Sequence, residues 1–115
     1  MSLTRFNFAA LPVSPWRNGG GETREIISWP PGAQDFDWRA SIATIAQDGP
    51  FSAFAGIDRS ITLLEGDGVR LFSAGHIDHQ LGRVGEPFAF SGDVALEATL
   101  LGGASQDFNI MTRRG

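Results

Sequence analysis

An all-β fold, a small antiparallel jelly-roll barrel, is what the sequence predicts, and three observations predict it. Fifteen glycines and six prolines in 115 residues supply many turns and leave little room for long helices. Strand-like runs recur between those turns at roughly 8–12 residue spacing, the rhythm of sandwiches and barrels. No window keeps an apolar stripe at three- and four-residue spacing past a turn or two, so no amphipathic helix is expected.

The elements follow in order. Residues 5–16, "RFNFAALPVSPW", read as a first strand and turn, with Phe6 and Phe8 on one face and prolines closing the segment. After the glycine run, "ETREIISW" (22–29) is a strand whose second half turns apolar, and "PPGAQDFD" is turn material, since its prolines cannot continue a ladder. "WRASIATIA" (38–46) is the clearest strand: Trp38, Ala40, Ile42 and Thr44 point one way, and Arg39, Ser41, Ala43 and Ile45 the other. "QDGP" is a turn, and "FSAFAGIDR" is an irregular aromatic segment. "SITLLEG" and "VRLFSAG" pair through Gly66-Asp67-Gly68 as a hairpin. "HIDHQLGRVGEP" (76–87) is polar and reads as a loop, and "FAFSG", "VALEATLL" and "DFNIMT" supply the last short strands.

Composition removes several classes of function. A net charge of -4 disfavours a nucleic-acid backbone and an anionic membrane surface, both of which call for a basic face. The chain has no Cys, and its nine basic residues are all Arg. Thiolate and Schiff-base lysine chemistry are therefore out of reach. No run approaches the roughly 18 apolar residues of a membrane span, and "MSLTRFNFAALPVSPW" does not read as a signal peptide. The expectation is one cytoplasmic domain with neither nucleic acid nor membrane as partner.

The stretch "PWRNGGGETREI" (15–26) concentrates the possible chemistry. A phosphate loop would need a lysine and a following helix, and here a strand follows. The glycines read as a bend that uses their conformational freedom. In the strand beyond, Thr23 and Glu25 share one face, and Glu22 and Arg24 the other. An inward carboxylate needs a donor, and Arg39, with Ser41 beside it on the same face, is a suitable companion. Two readings stay open: an arginine fork for a ligand carboxylate, or a structural Arg–Glu pair closing one end of the barrel. Arg59, Ile61, Leu63 and Glu65 share a face of the next strand. His76 and His79 form an H-x-x-H pair, but in an expected loop with no fixed further ligands they read as exposed, and no metal is expected.

The blocks "PWRNGGGETREI", "WRASIATIAQDGPFSAFAGIDRSITLLEGDG", "PFAFSGD" and "DFNIMTRRG", in this order and spacing, together resemble the HutD/Ves family. The resemblance implies a cupin-like barrel that is the N-terminal half of a bicupin, with a second barrel to follow or a second copy of the chain to pack against. It also implies a proposed regulatory role in bacterial histidine utilisation, sensing an acidic metabolite such as N-formylglutamate or urocanate without catalysis. Family-like positions here are Trp16, Arg17, Asn18, Gly21, Thr23 and Glu25, joined by Arg39, Ser41, Asp58, Arg59 and Asn109. The expected ligand-binding set is Arg17, Asn18, Thr23, Glu25, Arg39, Ser41, Arg59 and Asn109, with Arg39 clamping a carboxylate. Many cupins hold a metal through a His-x-His, yet "FSAFAGIDRSITLLEG" contains no His, so neither metal nor other cofactor is expected. The alternative is a metal-independent isomerase or hydrolase acting on a small acid or sugar, with Glu25 as general base.

Overall fold

A computed structural model describes residues 5–32 and 35–114, and readings that fall on 1–4, 33–34 and 115 lie outside them. The described residues form ten strands: β1 (Val13–Pro15), β2 (Gly21–Trp29), β3 (Trp38–Ile45), β4 (Gly49–Phe51), β5 (Ile57–Glu65), β6 (Val69–Ser73), β7 (Ile77–Leu81), β8 (Pro87–Ser91), β9 (Leu96–Leu100) and β10 (Ser105–Arg113). They form a six-stranded sheet in the order β1-β2-β3-β10-β5-β8 and a four-stranded sheet in the order β4-β9-β6-β7, with every pairing antiparallel. The all-β jelly-roll expected from the turn rhythm is thus the fold, built as two facing sheets and not as one continuous closed barrel.

Strand alternation sorts the core from the surface. On β3, Ser41, Ala43 and Ile45 are buried; on β5, Arg59, Ile61 and Leu63; on β10, Ser105, Asp107, Asn109 and Met111. The main core joins Ile45, Ile61 and Leu63 of the large sheet to Val69, Leu71, Leu81, Leu96 and Ala98 of the small one. Each such side chain contributes about 1.5–3 kcal/mol by leaving water. A second, smaller cluster of Phe36, Ile57 and Met111, with Phe54 against it, lies apart from the main core.

Three local readings are corrected. Phe8–Ala10 form a single 3-10 turn where a strand was expected, because the Asn7 side chain accepts from the Ala9 amide at 3.1 Å and caps it. Ile77–Leu81 form strand β7, paired along its length with β6, where a loop was expected. His79 on that strand is only partly exposed and stacks on Phe88 with ring centroids 4.0 Å apart. On β2 the register slips between Glu25 and Ile27, an extra residue in the ladder. Thr23 and Glu25 face inward, but past the bulge Ser28 takes the inward side and Ile27 and Trp29 are exposed.

Candidate functional site

The inward face of the large sheet is a grid whose levels follow from register. Ser28, Arg39, Met111, Arg59 and Phe90 lie side by side on one level, from β2 across β3, β10 and β5 to β8. Glu25, Ser41, Asn109, Ile61 and Phe88 make the next level. Thr23, Ala43, Asp107 and Leu63 make the third. The first level sets Met111 between two arginines, the second is polar at Ser41 and Asn109, and the third holds the buried Asp107 between Ala43 and Leu63. The jelly-roll is hollow at one end and packed at the other.

The hollow end is a cavity of about 520 Å³, within the range that holds a small metabolite. Seven of the eight residues expected as ligand-binding line it: Arg17 and Asn18 from the turn before β2, then Thr23, Arg39, Ser41, Arg59 and Asn109. The eighth, Glu25, is not on its wall. Its carboxylate instead lies 3.1 Å from Arg39 Nε, with half-buried side chains on both partners. Asp58, another family-like position, points away and pairs with Arg114 at 2.7 Å. Trp16, Phe51 and Phe54 supply apolar wall.

The glycine run shapes this wall. Gly19 adopts φ +74, and the Gly20 N–H donates to Asn18 Oδ1 at 2.8 Å. The Gly20 carbonyl accepts from both Ala46 and Gln47, which ties the bend to the end of β3. A Cβ on Gly21 would run into the Thr44 carbonyl and sit 3.1 Å from the Trp16 ring. Trp16 can therefore pack close to the start of β2, where its Nε1 donates to Thr23 Oγ1 at 2.8 Å.

The electrostatics centre on Arg59. It is 7% exposed, and its guanidinium lies 5.0 to 5.7 Å from the ring centroids of Phe90, Phe54 and Phe51. Nη1 donates to the Ser52 carbonyl at 3.2 Å, while the buried Nε has no acceptor among the described residues. No carboxylate pairs with it there. Burial, and after it the nearby charge of Arg39, lower its pKa to about 10. Arg39 Nε also lacks a hydrogen bond, because Glu25 is close but badly aligned with that N–H. Three arginines thus line the cavity, Arg17 exposed and Arg39 and Arg59 deeper, with the Glu25 carboxylate beside Arg39. The cavity can receive an anion on planar forks against aromatic walls.

Asp107 was not among the residues singled out by sequence. It is fully buried one level below Asn109, with Ser105 Oγ 3.1 Å from each carboxylate oxygen. Burial pushes its pKa up to about 6. Its signal was available in the alternation of β10, where 105, 107, 109 and 111 share a parity. Among the described residues no three His, Cys, Asp or Glu side chains gather as a metal site.

The family model for HutD matches residues 9–115. Protein Ves of Citrobacter koseri is 54% identical over 110 residues, which cover 95% of this chain and 57% of that protein. A conserved protein of unknown function from Pseudomonas aeruginosa has a solved structure that superposes with a TM-score of 0.84 at 44% identity, over 91% of this chain and 54% of that one. HutD from Pseudomonas fluorescens superposes with a TM-score of 0.83 at 40% identity, over 91% of this chain and 57% of that one. The chain thus spans little more than half the length of these relatives. A cupin domain of Schizosaccharomyces pombe Cnp3, 8% identical with a TM-score of 0.72 over 95% of this chain and 73% of that one, shows the fold alone.

Proposed function

The chain belongs to the HutD family, and on that premise we propose that its cavity binds a small carboxylate metabolite as a sensor and not as a catalyst. The observation that carries this reading is Arg59: a buried cation on the cavity wall with no counter-ion and an unsatisfied Nε among the described residues. A desolvated cation without a partner is costly, and an anion arriving from solution removes that cost. This shifts the anchoring role expected of Arg39 to Arg59, because Arg39 already has Glu25 beside it. Ser41, Asn18, Thr23 and Asn109 provide neutral polar partners, and the phenylalanines exclude water from the anion.

Glu25 in this reading is a counter-ion, which argues against its serving as a general base. N-formylglutamate and urocanate are the candidate ligands, and a regulatory role in histidine utilisation is the candidate context. Because the relatives are longer, the reading concerns this cavity and not the activity of a whole protein. Isothermal titration of the 115-residue chain with formylglutamate, urocanate and glutamate tests it. Saturable binding of at least one acid, weakened tenfold or more in Arg59→Gln, is the expected result. Absence of binding at millimolar acid, or binding indifferent to Arg59→Gln, rejects it.

A further inference from the structure

Building on the reading of this cavity as a carboxylate site, we infer that its ligand is a short-chain dicarboxylate, whose second carboxylate takes Arg39 in place of Glu25. The geometry that leads there is the shared level of Arg39 and Arg59. Met111 of β10 is directly opposite Arg39 on β3 and directly opposite Arg59 on β5. Two strand spacings separate the arginines, roughly 10 Å at the backbone, and both side chains line the same cavity. Between them stands a buried thioether, an apolar surface that suits a methylene chain and not a third charge. The arrangement is charge, apolar spacer, charge, and its complement is an acid with a carboxylate at each end.

Two further observations bear on the second carboxylate. Both arginines line the same cavity, and each carries a buried Nε without a hydrogen bond among the described residues, so neither fork has used its full donor capacity. The carboxylate that already neighbours Arg39 belongs to a side chain with a way out: Glu25 is 39% exposed against 21% for Arg39. Glu25 can turn to water while a better-aligned, bidentate ligand carboxylate takes its place. On the Met111 level, Arg39 and Arg59 set against Glu25 leave one positive charge, and turning Glu25 to solvent leaves two for a diacid; the third arginine of the wall, Arg17, is exposed on the turn before β2 and lies off this level. Glu25 is then an internal competitor that sets selectivity, weakening the second contact for every ligand and leaving the Arg59 contact to monoacids and diacids alike.

The test compares chain-matched pairs by calorimetry: succinate with butyrate, glutarate with pentanoate, and adipate with hexanoate. At least one diacid should bind tenfold or more tighter than its monoacid partner. Arg39→Gln should cost that diacid at least tenfold more affinity than it costs the monoacid. Glu25→Gln, which keeps the shape and removes the competing charge, should strengthen the diacid severalfold more than the monoacid. It also serves should Arg39→Gln fold poorly. Monoacids that bind as tightly as diacids, or a diacid advantage that survives Arg39→Gln or is unmoved by Glu25→Gln, overturn the inference while the carboxylate site stands. Loss of binding for all six acids overturns both.

Discussion

Arg39 and Arg59 face the cavity from the same level of the six-stranded sheet, with Met111 of the intervening strand directly opposite both. Burying Arg59, and after that setting it near the charge of Arg39, costs stability, and the lowered proton affinity of Arg59 registers both. A fold that needed only a filled interior would put an apolar side chain at 59, as it does at Ile61 and Leu63 on the same strand. Arg59→Met is therefore expected to leave the protein as stable as the parent within about 1 kcal/mol, or more stable, because an unpaired buried charge is exchanged for apolar volume. Urea unfolding checks this, and calorimetry on the same variant should show carboxylate binding lost. Site and stability would then pull in opposite directions at one residue.

Asp107 makes the protein's stability depend on pH in a stated direction. Its neighbours on the same level, Ala43 and Leu63, are apolar, and no cation pairs with it among the described residues. The folded-state value of about 6 lies above the ordinary 3.8. Between those values the folded protein holds a proton that the unfolded chain releases. The contribution is thus fully present below about pH 4, is lost as pH rises to about 6, and stays constant above that. The difference is on the order of 2–3 kcal/mol. Asp107→Asn should be more stable than the parent by this order at pH 8 and nearly equal to it at pH 3. Unfolding curves across that range measure the difference directly, and a constant offset would refute it.

The inward face was legible where strands are regular. The alternation of Trp38–Ile45 put Arg39 and Ser41 on one face, and parity put Arg59 on one face with Ile61 and Leu63, a face that the structure turns inward. What alternation cannot supply is the neighbour. That β10 slots between β3 and β5, and so sets Met111 between the arginines, is a pairing of segments distant in sequence. The bulge at Ile26 reversed the faces of the second half of β2, since one extra residue flips everything after it. β7 was obscured because its inward residues are Ile77, His79 and Leu81, and the middle one looks polar until Phe88 stacks on it. Asp107 was obscured for a related reason: a carboxylate in an amphipathic strand ordinarily marks the solvent side.

Trp16 is placed to report on the cavity. It lines the wall, meets the Phe51 ring edge-on at 5.7 Å, and donates its Nε1 hydrogen to Thr23. The other two tryptophans, Trp29 and Trp38, are paired opposite each other outside the cavity and are 54% and 38% exposed. Ligand binding is expected to shift the emission of Trp16 alone, so a fluorescence titration should lose its signal in Trp16→Phe and keep it in Trp29→Phe. Thr23→Val removes the acceptor at nearly constant volume. It should lower stability by about 1 kcal/mol and change the Trp16 spectrum before any ligand is added.

The glycines ahead of β2 separate two physical requirements that look alike in sequence. Gly19 needs a positive φ but has open space around its missing side chain, so Gly19→Ala should cost only the conformational penalty, about 1 kcal/mol. Gly21 has an ordinary φ but no room, because a methyl group there would meet the Thr44 carbonyl on the neighbouring strand and the face of Trp16. The carbonyl belongs to the β3 backbone and cannot step aside, so relief comes only by pushing β2 and Trp16 outward. Gly21→Ala is expected to cost about 2 kcal/mol or more and, by displacing Trp16 from Thr23, to weaken carboxylate binding as well. Gly19→Ala should leave binding intact. Denaturation midpoints and titrations on the two variants decide between this account and one in which the glycines serve only to make the chain flexible, for which both substitutions would act alike.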